Sequence, residues 1–149
     1  MGHTYTSLNY HLIFSTKGRA PLLEKPMRPR LYAYLGGILR ELGGELVSIG
    51  GVEDHIHLLV RLKPTLPLAE VMRNLKGSSS RWLNEERHGA RFAWQGGYTA
   101  FSISRSNMDV VERYIARQEE HHRTRAFKEE LLDFLRAHRV DFDERYLWD

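Results

Sequence analysis

Residues 54–60 read DHIHLLV, and the fold turns on what this stretch is. Leu46, Val47 and Ile49 before it, and Leu58, Leu59 and Val60 within it, have the β-branched and aliphatic character of buried strands. GELVSIGG (44–51) and HIHLLVRL (55–62) therefore read as two strands joined by a tight turn near Gly50–Asp54. On a strand, residues i and i+2 point to one face, so His55 and His57 stand side by side. Two imidazoles on one sheet face support two readings: hydrogen-bonded core histidines, or a pair of metal ligands.

Outward from this hairpin, YTSLNYHLIF (5–14) reads as a first strand, and Pro21, Pro26 and Pro29 break KGRAPLLEKPMRPR (17–30) into a loop. From Arg30 to Leu42 the residues Leu31, Tyr34, Leu35, Ile38, Leu39 and Leu42 follow helical spacing, which Gly43-Gly44 ends. Pro64 and Pro67 close the hairpin. A second helix from about Leu68 to Arg87 follows, with Val71, Met72, Leu75 and Trp82 on its apolar stripe. A fourth strand, YTAFSIS (98–104), leaves a WQGG turn. Ser106 is placed to cap a third helix, with Asp109 three residues on. That helix carries VVERYIARQEEHH (110–122). A last helix spans about Arg125–Ala137, before an aromatic tail ending RYLWD.

The order is β-α-β-β-α-β followed by helices. This is an α+β, ferredoxin-like arrangement: a four-stranded antiparallel sheet with helices on one face, plus C-terminal helices. At 149 residues the chain suits a single domain over 1–149. Hydrophobic residues at 42% and aromatics at 11% exclude a disordered chain. There is no Cys, so disulfides, cysteine zinc sites and thiol nucleophiles are excluded, and a cytoplasmic location is expected. No apolar run approaches the ~18 residues of a membrane span. A net charge of +3 permits a polyanionic partner without demanding one.

The third helix holds the second informative feature. Tyr114 and Gln118 are four apart and share a face, with His121 nearly on it. If this helix returns across the sheet, that face meets His55 and His57. Two imidazoles, an amide oxygen and a phenol then converge. Neutral ligands leave a bound divalent ion most of its charge, which suits it to polarise a phosphodiester. Imidazoles favour Mn²⁺, Co²⁺ or Ni²⁺ over Mg²⁺. A tyrosine attacking phosphorus conserves the cleaved bond as a phosphotyrosine ester. The same residues also admit a plainer account: core histidines, a packing tyrosine and a charged helix end. Arg73, Lys76, Arg81 and Arg87 lie opposite the second helix's apolar stripe, either as a solvated face or as one that tracks phosphates. Lys17, Arg19, Arg113 and Arg117 are further candidates for DNA contact, and Trp94 and Tyr98 could stack unpaired bases. A cupin would need a Glu soon after the second His, where LLVRL (58–62) stands, and no phosphate-binding glycine loop occurs.

The stretches NYHLIFSTKGR (9–19), DHIHLLV (54–60), LKGSSSRWL (75–83), WQGGYTAFSIS (94–104) and VERYIARQEEHHR (111–123), in this order, resemble the HUH-superfamily single-tyrosine transposases. These are the small insertion-sequence enzymes acting on single-stranded DNA and their relatives associated with REP palindromes. The resemblance implies that His55, His57 and Gln118 hold a divalent ion, Mg²⁺ or Mn²⁺. It implies that Tyr114 forms a 5′-phosphotyrosine link and releases a 3′-OH. It further implies single-stranded DNA with hairpin ends as substrate, and a homodimer in which one subunit's tyrosine helix can serve the other's metal site. KGRAPLL (17–23) departs from the family's aromatic-basic pattern after the first strand, and His121 or His122 competes with Gln118 to complete the metal shell. A reading from a different class is a non-catalytic ferredoxin-like dimer that binds nucleic-acid hairpins.

Overall fold

The structure, a computed structural model, describes residues 2–86 and 91–148. Strands β1 (Asn9–Ser15), β2 (Glu45–Gly51), β3 (His55–Arg61) and β4 (Thr99–Ser102) form one antiparallel sheet in the order β2-β3-β1-β4. Helix α1 (Arg28–Leu42) joins β1 to β2, and α2 (Leu68–Glu86) joins β3 to β4. This is the expected ferredoxin-like order.

Alternation along the strands builds two different faces. On one, Leu12, Phe14, Ile56, Leu58 and Val60 pack with Leu31, Leu35 and Leu39 of α1 and Val71, Met72 and Leu75 of α2. Pro29 sits in the first turn of α1, and Gly43, at φ 88°, turns the chain out of that helix. On the other face lie His11, Ile13, His57 and Leu59, aligned by the pairs His11–Leu59 and Ile13–His57.

The C-terminal third covers that second face. Helix α3 (Met108–Ala116) lays Met108 and Ile115 on Leu59, while α5 (Phe127–Ala137) lays Phe127, Leu131 and Leu135 on Ile13 and Phe101. Short helices α4 (Gln118–His121) and α6 (Glu144–Leu147) complete the chain. Phe134 and Leu135 pack within the chain, with Trp148 beside Phe127.

Two local expectations are corrected. Ser106 does not cap α3, which starts at Met108 after a 3-10 turn at Arg105–Asn107; the Ser106 hydroxyl lies 3.0 Å from that of Ser104. The segment 110–122 is not one helix either. Arg117, at φ −106° and ψ 24°, breaks it, because the Arg117 N–H closes a tighter turn on the Tyr114 carbonyl at 3.2 Å. The break abuts Gly50, where a Cβ would collide with the Ile115 carbonyl. That close approach of backbone to backbone requires glycine.

Candidate active site

The strand alternation that buries Leu58 on one side delivers His55 and His57 to the other, both without solvent exposure. Residues from three further elements meet them there. Helix α3 brings Tyr114, the short helix α4 and its C-terminal cap bring Gln118 and His122, and α5 brings Glu130. One ligand atom from each of His55, His57, His122 and Glu130 lies within 4.8 Å of the others.

The three imidazole rings are each held from behind. His55 Nδ1 lies 2.8 Å from Asp54 Oδ1, His57 Nδ1 lies 2.8 Å from His11 Nε2, and His122 Nδ1 lies 2.7 Å from the Arg125 carbonyl oxygen. A carbonyl and a carboxylate only accept, so the Nδ1 atoms of His55 and His122 carry hydrogen. In the neutral rings both Nε2 atoms are then bare, and they face each other at 2.9 Å. His122 Nε2 also meets Gln118 Oε1 at 3.0 Å. Lone pairs set against lone pairs repel unless a proton or a metal ion lies among them. The donor set therefore fits a divalent cation, and the outer partners resemble the hydrogen-bonding groups that orient metal-binding histidines.

Glu130 is 2% exposed. Its Oε1 lies 2.8 Å from His57 Nε2 and 3.5 Å from His55 Nε2, while Oε2 faces His122 Nε2 at 3.3 Å and His121 Nε2 at 3.0 Å. Burial alone would raise its carboxyl, but the His122, His55 and His57 rings around it outweigh that and hold it well below the usual carboxylate range. Burial pushes His57 down to about 4, leaving a neutral ring at pH 7. Burial acts the same way on His55, yet its bonds to Asp54 and Glu130 bring it above the ordinary value.

The Tyr114 hydroxyl donates to Glu130 Oε2 and lies 3.1 Å from His121 Nε2. Burial, and then the Glu130 charge, push this phenol well above its usual range, so it is fully protonated as it stands. The ring sits 5.8 Å from that of His57 in the same chain. Gln118 keeps its place one turn on despite the helix break, with its amide nitrogen 3.4 Å from the Tyr114 carbonyl. Tyr114 borders an open groove of about 490 Å³ lined also by Val110, Arg113, Arg117, Glu120, His121 and Thr124.

The basic candidates divide. Arg113 and Arg117 are exposed and line the groove beside Tyr114. Lys17 and Arg19 follow the end of β1 where Ser15 pairs with His55. Arg73 and Arg81 are exposed on α2, across the sheet from the histidines. Lys76 is committed to structure: its ammonium donates to the carbonyls of Gln95 and Gly97, each at 2.7 Å, and so fixes the WQGG turn. Arg87 lies outside the described residues. Trp94 is 7% exposed and donates to Ser79 at 2.9 Å, so it packs rather than stacks on bases, whereas Tyr98 is 39% exposed.

Sequence reading missed His11 and Glu130. Glu130 had a signal: it lies on the Phe127–Leu131–Phe134 stripe, where a carboxylate is out of place unless it is partnered. His11 had a weaker one, two residues before Ile13 on the same strand face.

Comparison with known proteins places the chain in a family. Residues 4–118 match the family model described as IS200-like transposase. The ISDra2 transposase TnpA of Deinococcus radiodurans is 28% identical over 124 residues, covering 78% of this chain and 87% of that protein. The transposase for insertion sequence element IS200 of Salmonella typhimurium is 27% identical over 128 residues, covering 79% and 81% respectively. Among solved structures, a chain assigned as a transposase of Deinococcus radiodurans R1 superposes with a TM-score of 0.63 at 28% identity, covering 79% of this chain and 96% of that one. A REP-associated tyrosine transposase bound to a REP hairpin gives 0.62 at 14% identity, covering 82% and 73%, and is a likeness of fold.

Proposed function

From the premise that the chain belongs to the IS200-like transposase family, a family of DNA-processing enzymes, we propose that it cleaves and rejoins single-stranded DNA at hairpin-bearing ends, with Tyr114 as nucleophile. The observation that carries this reading is the Tyr114 hydroxyl bonded to Glu130, whose other carboxylate oxygen meets His57 Nε2, beside a groove that Arg113 and Arg117 help to line.

His55, His57 and Gln118 would hold a divalent ion, Mn²⁺ or Mg²⁺. When bound, the ion supplies Lewis-acid polarisation of the scissile phosphate. The chain's own groups do the rest. Arg113 and Arg117 place the DNA backbone along the groove, and phosphate contacts of this kind orient without reading sequence. Tyr114 Oη forms a bond to phosphorus as the bond from phosphorus to the 3′-oxygen breaks. The hydroxyl proton passes to a neighbouring base, and the departing oxygen takes up a proton to become a 3′-OH. Attack of a 3′-OH on the phosphotyrosine reverses these steps, so joining needs no external energy source. Arg73 and Arg81 on the far layer, with Lys17 and Arg19 at the sheet end, are proposed hairpin contacts. A homodimer is proposed from family membership, with β2 and β4 as the sheet edges. Among the described residues no helix is long and apolar enough to cross a membrane.

The test is incubation with hairpin-bearing single-stranded DNA and Mn²⁺, followed by a denaturing gel. A covalent protein–DNA band supports the enzyme. Retarded mobility on a native gel with no such band identifies a non-catalytic hairpin-binding protein instead.

A further inference from the structure

We propose that His122 and Glu130 join His55, His57 and Gln118 in the metal shell, and that the C-terminal helix α5 thereby becomes part of the catalytic centre. The inference rests on the metal reading above and extends it to residues beyond 118, where the family match ends.

Glu130 carries the argument. Helix α5 is amphipathic, and Phe127, Leu131 and Leu135 fill its buried face against Ile13 and Phe101. Glu130 occupies that same face, where an ionised carboxylate is tolerated only with cationic or strongly donating partners. Its partners here are imidazole nitrogens and one phenol. Two of those imidazoles, His55 and His122, have committed their hydrogen to Asp54 and to the Arg125 carbonyl. They present lone pairs to each other at 2.9 Å and to the carboxylate at 3.5 and 3.3 Å. Acceptors that converge in this way, with donor atoms within 4.8 Å of one another, match the coordination sphere of a metal ion. Three imidazoles, with one carboxylate and the Gln118 amide oxygen, select a first-row transition ion such as Mn²⁺, Co²⁺ or Zn²⁺ over Mg²⁺.

The carboxylate also has two ends with two tasks. Oε1 faces His57 and His55, while Oε2 accepts from Tyr114. One side chain thus links the metal position to the orientation of the nucleophile. Neither His55 nor His57 reaches the Tyr114 hydroxyl through any hydrogen bond found among the described residues.

The experiment uses the full chain, stripped of metal with chelator and titrated calorimetrically with Mn²⁺. Glu130→Gln and His122→Ala should each weaken Mn²⁺ binding by about tenfold or more, with far-ultraviolet circular dichroism confirming the fold. Pulsed electron paramagnetic resonance of the Mn²⁺-loaded wild type provides a readout independent of any variant, and should detect nitrogen coupling from three imidazoles. Wild-type affinity in both variants, or coupling from two imidazoles, would overturn the proposal and leave the metal reading standing. A wild type that takes up no Mn²⁺ would remove both.

Discussion

The Nε2 atoms of His55 and His122 lie 2.9 Å apart, although each ring has given its hydrogen to a partner on the outside. Without a metal, a proton must fill that gap, which agrees with the raised pKa of His55. The consequence for stability has a definite sign. A raised histidine stabilises the folded state below its unfolded value of about 6.5, and that contribution is lost as pH rises through the folded value. His57, lowered to about 4, acts oppositely: its neutral burial stabilises above about 6.5 and is lost as pH falls toward about 4. The depressed Glu130 contribution is present above about 4.3 and falls away in more acid solution. Urea midpoints in chelator should therefore peak near about pH 6.5. Midpoints that climb steadily from pH 5 to pH 9 would contradict the arrangement.

Metal affinity should depend on Asp54, although it is no ligand. Its carboxylate orients His55 and makes Nε2 a better donor. Asp54→Ala should lower Mn²⁺ affinity by about 10- to 100-fold, measured by calorimetry at constant pH. Unchanged affinity would mean that His55 does not bind the ion through Nε2.

Gly50 positions the tyrosine helix from outside the site. A methyl group there meets the Ile115 carbonyl, and Ile115 is the neighbour of Tyr114. Gly50→Ala should cost about 1–3 kcal/mol through overpacking, visible as a lower thermal midpoint. It should also slow covalent adduct formation, because the end of α3 must lift. A midpoint equal to wild type would show that α3 docks elsewhere.

Arg113 and Arg117 differ from Lys76 in what they have left to offer. The two arginines are exposed in the groove, whereas Lys76 is bound to the WQGG turn. Replacing both arginines by Gln should weaken single-stranded DNA binding and reduce the slope of log affinity against log salt by about 0.7 per contact. Lys76→Gln should lower stability more than it lowers the salt slope. Fluorescence anisotropy across a salt series separates the two. An unchanged slope in the arginine variant would make the groove a bystander.

How much of this was legible in the sequence depended on the periodicity of each element. The alternation around His55 and His57 fixed their shared face, because a strand allows no other placement. The i,i+4 spacing of Tyr114 and Gln118 survived even though the helix itself did not, since the break at Arg117 keeps the pair one turn apart. The break could not be read, because no Gly or Pro marks it and the backbone of Gly50 that abuts it is distant in sequence. Glu130 went unread because the second sheet face is covered by α5, and only tertiary packing carries that helix to the histidines. Lys76 looked like its neighbours on a basic face; the carbonyls that hold it belong to a turn about 20 residues away in sequence.

The central claim is that Tyr114 attacks the DNA. Of the seven tyrosines, Tyr114 alone donates its hydroxyl into the histidine cluster among the described residues. Tyr114→Phe removes one oxygen and leaves the ring against Phe134 and His57. The decisive measurement is the yield of covalent protein–DNA adduct on a denaturing gel, with hairpin-bearing single-stranded DNA and Mn²⁺, for wild type and Tyr114→Phe. The account predicts an adduct for the wild type and none for the variant, which should still fold, bind Mn²⁺ and retain the hairpin. An adduct formed by Tyr114→Phe would contradict it.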